Sequence, residues 1–186
     1  MKATPFFLSL IIFILEGNSP ALSQQETKVL SVAARAKTSP AVFEGKVLRK
    51  ISFWDNSHTG IYTANIIEIY KVFGGNILTE TVEIVTPGGT VGTESESASE
   101  GPELKPGDTG MFFCEYSRML NAAADSLRYS YVLSLSPQGF IKYDLAGKAA
   151  SDAFKKYTQV EKEIYSPIRK VTGQPYKSIK KFSLAE

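Results

Sequence analysis

The sequence predicts a mainly β fold with flanking helices. The expected core is a small antiparallel barrel of about five to six strands, with a helix before it and an amphipathic helix after it. Three observations carry this. Apolar and polar residues alternate over 42–51, 61–73 and 81–86, as half-buried strands require. Glycine and proline clusters punctuate those runs, and helical spacing is confined to 25–37 and 152–171.

In chain order, 25–37 is rich in helix formers, with Val29, Leu30, Ala33 and Ala36 on one broad face. Ser39-Pro40 ends it, because the residue before proline avoids the helical region. In the first strand Phe43, Gly45, Val47 and Ile51 form one face, and Glu44, Lys46 and Lys50 the polar face. Gly45 marks a bend or a close backbone approach. Residues 53–60 (FWDNSHTG) read as a turn. In the second strand Ile67 and Ile69 point inward, and the alternation slips at Tyr70-Lys71, which indicates a bulge. Gly74-Gly75-Asn76 turns the chain into a third strand, with Val82 and Ile84 opposite Glu83, which Pro87-Gly88 closes as a type II turn.

Residues 93–103 (TESESASEGPE) form an acidic, serine-rich loop, and Pro106-Gly107-Asp108 makes another turn. The strand at 111–116 is apolar on both faces, as expected where helix or loop covers its outer side. Segments 130–135 and 140–145 read as a hairpin around Ser136-Pro137-Gln138-Gly139. The final helix, 152–171, carries Phe154, Tyr157, Ile164, Ile168 and Val171; Thr158 and Glu161 resemble a capping box, Ser166-Pro167 restarts the helix, and Gly173 ends it.

The chain begins with Lys2, an uncharged run at 6–15 and small residues at Ala21 and Ser23. That is the pattern of a secretory signal peptide cleaved before Gln24. The run is shorter than the roughly 20 residues of a membrane span, and no later segment approaches one, so an integral membrane protein is not expected. The expected organisation is a leader at 1–23, a barrel domain with its leading helix at 24–150, and a helix with a basic tail at 151–186. Secreted, periplasmic and cell-surface destinations all fit such a leader. Cys114 is the one cysteine, so no internal disulfide can form and stability must come from the core. Charge is polarised: residues 80–108 carry seven acids against Lys105, and 155–186 carry eight bases against three acids. Such polarity can steer a charged partner or simply form solvated faces.

The runs ARAKTSPAVFEGKVLRK, IYTANIIEIYKVFGGN, VEIVTPGGTVG, PELKPGDTGMFFCEY and SPQGFIKYDLAG together resemble a module of exported bacterial proteins. That module is similar to the OB-type barrel of netrin-like and tissue-inhibitor-of-metalloprotease-like domains, and the likeness spans about 33–147. It implies an OB-like barrel and says little about activity. The animal inhibitors chelate a catalytic zinc through a cysteine at the mature N-terminus. Here Gln24 takes that place and Cys114 lies mid-strand, so that mechanism is not implied.

Catalytic residue types are sparse. His58 is the one histidine and sits in a polar turn beside Asp55 and Ser57, which is not a triad arrangement. No cofactor or metal site is expected: histidine and cysteine are too few for zinc, and the acidic loop lacks calcium-loop spacing. Gly88-Gly89-Thr90-Val91-Gly92 has neither the lysine nor the following helix of a phosphate cradle. Nucleic acid is not an expected partner, given the exported compartment and the acidic barrel segment. The expectation is a non-enzymatic binding module for a protein or a surface polysaccharide. The alternative is an accessory domain of a secreted hydrolase whose catalytic part lies outside this chain. The candidate binding residues are Phe53, Trp54, Asp55, His58 and Tyr62, because the loop between the first two strands shapes the ligand face of such barrels. Phe53 and Trp54 can equally plug the barrel end.

Overall fold

The computed structural model describes residues 28–97, 101–117 and 130–184. The expected leader at 1–23 lies outside these residues. Strands are β1 (Ala41–Trp54), β2 (Ile61–Gly74), β3 (Thr81–Pro87), β4 (Gly89–Val91), β5 (Glu94–Glu96), β6 (Thr109–Tyr116), β7 (Ser130–Leu133), β8 (Phe140–Asp144), β9 (Ala149–Ser151), β10 (Lys156–Tyr157) and β11 (Lys177–Ser178). Helices are α1 (Val32–Thr38) and α2 (Ser166–Thr172), the latter continuing a π-helical turn at Glu161–Tyr165.

Alternation in β1 and β2 builds a long antiparallel hairpin, from Val42↔Gly74 to Trp54↔Ile61. β2 pairs antiparallel with β3, β3 pairs parallel with β7, β7 antiparallel with β6, and β6 returns antiparallel to β1. Five strands thus pair in a ring. Beyond it, β8 extends from β6 and carries β9 and β10, while β4 and β5 form a separate hairpin. Tyr70 has no partner on β1 between Glu44↔Lys71 and Gly45↔Ile69, which is the expected bulge. Gly45 sits so close to β2 that a Cβ there would collide with the Glu68 carbonyl, as its place in the strand suggested.

Two apolar clusters follow from the pleat. Phe43, Val47, Ile67, Ile69, Ile84, Phe112 and Cys114 fill one, and Val42, Phe73, Met111, Phe113, Ile141, Ile164 and Ile168 the other. Neighbouring residues of β6 therefore serve opposite clusters. The helical C-terminal region covers its second face, which explains why residues 111–114 of that strand are apolar on both faces.

Several expectations are corrected. Eleven strands exist among the described residues rather than five to six, and the β3–β7 pairing is parallel. Segments 130–135 and 140–145 do not form a hairpin: β7 and β8 lie end to end along one edge of β6, through Cys114↔Leu133 and Phe112↔Phe140. The first helix starts only at Val32, where Ser31 Oγ accepts the Ala34 N–H at 3.2 Å. Part of the acidic loop is the strand β5, hydrogen-bonded to β4. The long C-terminal helix is reduced to the π-turn and α2, and its first part forms β10. There the Glu163 carboxylate, not Glu161, accepts from the free N–H groups of Thr158 (2.9 Å) and Gln159 (3.0 Å). Gly173 ends α2 with a φ of 70°.

Two buried polar networks tie distant segments together. Glu44 is fully buried on what reads as the polar face of β1; its carboxylate pairs with the Lys71 ammonium at 2.9 Å and accepts from the Tyr143 hydroxyl at 2.9 Å and from the Tyr165 hydroxyl. Arg35 donates to Asp152 at 2.7 Å and to the Gln138 carbonyl at 3.0 Å. Burial alone would raise the Asp152 carboxyl, but the Phe154 N–H, Arg35 and Tyr157 outweigh it and hold it below the usual aspartate value.

Candidate binding site at the β1–β2 tip

The residues joining β1 to β2 organise themselves. Asp55 accepts from the Thr59 N–H and from the Thr59 hydroxyl, both at 2.7 Å, and its own N–H donates to the Gly60 carbonyl at 3.0 Å. The Thr59 hydrogen bonds hold the Asp55 carboxyl below its ordinary value, so it remains an anion engaged within the turn. Its role is to shape the loop. The His58 N–H closes the turn onto the Asp55 carbonyl at 3.0 Å, with His58 at a φ of 54°.

This closure sets the rings. The His58 imidazole stacks on Trp54, with centroids 6.0 Å apart and planes at 18°. Phe53 and Tyr62 are directly opposite across β1 and β2, with rings 6.3 Å apart. His58 is exposed, and Phe53, Trp54, Asp55 and Tyr62 are half-buried. None of the five belongs to either apolar cluster. All five residues are therefore brought together at one tip. The strand does run further than the sequence suggested, placing Phe53 and Trp54 on β1 itself.

A cleft of about 620 Å³ lies beside the tip, and sequence reasoning missed it. Its walls include Lys50, Thr63, the turn Pro87-Gly88-Gly89, Glu96, Leu104 and Leu133. Tip and cleft are coupled: Glu96 accepts from the Ile61 N–H at 2.9 Å, and the Gly88 N–H donates to the Ile61 carbonyl at 2.8 Å. The Thr63 hydroxyl donates to the Gly88 carbonyl at 2.7 Å, and Ser52 Oγ accepts from the Thr90 N–H at 3.2 Å. Gly89, at a φ of 144°, packs so tightly that a Cβ would meet the Ser52 and Thr63 hydroxyls. The sequence marks the Pro87-Gly88-Gly89 turn, but that the Ser52 and Thr63 hydroxyls face it follows only from the fold.

Cys114 is fully buried, and burial pushes its thiol well above the usual range, which removes it as a nucleophile. Among the described residues no group of three or more His, Cys, Asp or Glu could hold a metal ion. No helix among them is long and apolar enough to cross a membrane. No protein-family model matches the chain, and no curated protein matches it.

Proposed function

We propose that this chain is an exported, non-enzymatic binding module on an OB-type barrel, whose ligand face is the β1–β2 tip and the adjoining cleft. The partner is a protein or a surface polysaccharide. One observation carries the reading: Phe53, Trp54, His58 and Tyr62 are held by a hydrogen-bonded turn at the end of a hairpin, outside both apolar clusters. Aromatic rings fixed in place and left partly exposed lose little entropy on binding, which makes them effective anchors. The ring of strand pairings, with its one parallel closure, supports the barrel. The pattern of residues 1–23 supports export.

The test is an array of bacterial surface polysaccharides and exported proteins, probed with the chain starting at Gln24. Trp54→Ala and Tyr62→Ala should each lower capture at least about tenfold, a loss of roughly 1.4 kcal/mol, while the melting cooperativity persists. Capture that survives both changes would overturn the site. Hydrolytic turnover abolished by His58→Ala would overturn the non-enzymatic reading.

A further inference from the structure

The segment after α2 is held to the fold in the manner of a bound peptide. Gly173 ends the helix in the left-handed region, and the chain then lies along β2. Only two residue pairs join it, Lys177↔Val72 and Ser178↔Lys71, and the Ile179 and Lys180 N–H groups both donate to the Tyr70 carbonyl at 2.8 and 3.1 Å. Tyr176, Ile179, Phe182 and Leu184 turn inward while the residues between them are exposed. Sparse main-chain pairing, with apolar anchors set between exposed residues, is a way for a strand edge to capture a peptide segment.

The receiving surface is equally specific. The pairing of β2 with β3 ends at Glu68↔Thr81, so residues 70–72 would present an open edge if β11 did not cover it. Phe182 stacks on Tyr70 with centroids 4.5 Å apart, and Tyr176 packs on Phe73 at 5.1 Å. The Lys71 ammonium faces the Tyr176 ring at 5.3 Å and the Phe182 ring at 5.5 Å. At the rim Lys180 pairs with Glu68. Edge, aromatic sockets and rim charge together match an extended segment with two spaced aromatics and a lysine.

We infer that this groove on the β2 edge is a peptide-docking site, occupied here by the chain's own 174–184 segment, and that it accepts the same segment from a second copy of the chain. Tethering gives the resident segment an effective concentration of the order of millimolar, so it holds the groove until its anchors are weakened. Exchange between copies then requires no new contact, only the same contacts made in trans.

A dye-labelled synthetic peptide of residues 174–184 supplies the probe for the second copy's segment. It should bind the full chain carrying Phe182→Ala saturably, and at least about tenfold more tightly than the unaltered chain. A peptide carrying Tyr176→Ala and Phe182→Ala should not bind. Equal binding of both peptides, or no binding to a Phe182→Ala chain that still melts cooperatively, would overturn the inference. If that variant does not fold, the same two peptides are titrated against the Tyr176→Ala chain with the same outcomes expected. Amide exchange in the unaltered chain tests the release of the segment that docking in trans requires. Ile179 and Lys180 should exchange at least about tenfold faster than Val47 and Phe113, through opening of the segment alone. Exchange in step with those amides would show that the segment never leaves the groove separately, and would overturn it.

Discussion

Replacing Lys71 with methionine tests the buried cluster around Glu44, where the β1–β2 hairpin meets Tyr143 of β8 and Tyr165 of the π-helical turn. The Lys71 side chain is 8% exposed and its Glu44 partner 0%, with the charges 2.9 Å apart. Methionine keeps most of the volume and removes the charge, leaving a buried carboxylate with only the Tyr143 and Tyr165 hydroxyls as donors. Breaking one side of such a pair costs about 3–5 kcal/mol, because the remaining charge stays desolvated. At roughly 2–4 °C per kcal/mol for a chain of this size, melting should fall by about 10 °C. Adding Glu44→Gln removes the stranded charge while its amide oxygen still accepts from the tyrosines. The double variant should therefore regain at least about 2 kcal/mol of the loss, measured by urea unfolding in a double-mutant cycle. A Lys71→Met cost below about 1 kcal/mol, or additive single effects, would refute the coupling.

Three further outcomes are expected. Cys114 should react with a thiol reagent only as fast as the chain unfolds, and rapid labelling of the folded protein would contradict its buried place. Burial, reinforced by its hydrogen bond to Asp152, raises Tyr157 from 10.0 to about 12. Its neutral form is thus favoured in the fold, so stability present below pH 10 should fall as pH rises from about 10 to about 12, followed by tyrosinate absorbance and melting together. Gly89→Ala should cost about 1–3 kcal/mol, since the residue sits at a φ of 144° against the Ser52 and Thr63 hydroxyls; calorimetry showing no loss would contradict that packing.

What could be read in the sequence depended on how local its cause was. Phe43, Val47, Ile67 and Ile69 were legible as core because alternation is a property of the strand itself. The bulge at Tyr70 was legible as a slip in that alternation. Glu44 was not, because its neutralising partners come from Lys71, Tyr143 and Tyr165, on three other segments. The break between β7 and β8 looked like a hairpin for a related reason: Ser136-Pro137-Gln138-Gly139 has the composition of a turn, and local propensity cannot show that both strands use one edge of β6. The aromatic tip was legible because its residues are contiguous with the turn that holds them. The cleft was not, since Pro87, Glu96, Leu104 and Leu133 meet only after the ring of strands has formed.

Trp54 is the one tryptophan of the chain, so fluorescence excited at the red edge, where the nine tyrosines do not absorb, reports on the tip alone. The most direct measurement is its emission and acrylamide quenching in the native state, compared with the same chain in urea. With the indole partly exposed and outside both apolar clusters, acrylamide should reach and quench it in the native state without unfolding, though less efficiently than in urea. A strongly blue-shifted native emission, shielded from acrylamide until the chain unfolds, would place Trp54 in the core and contradict a binding role for the tip.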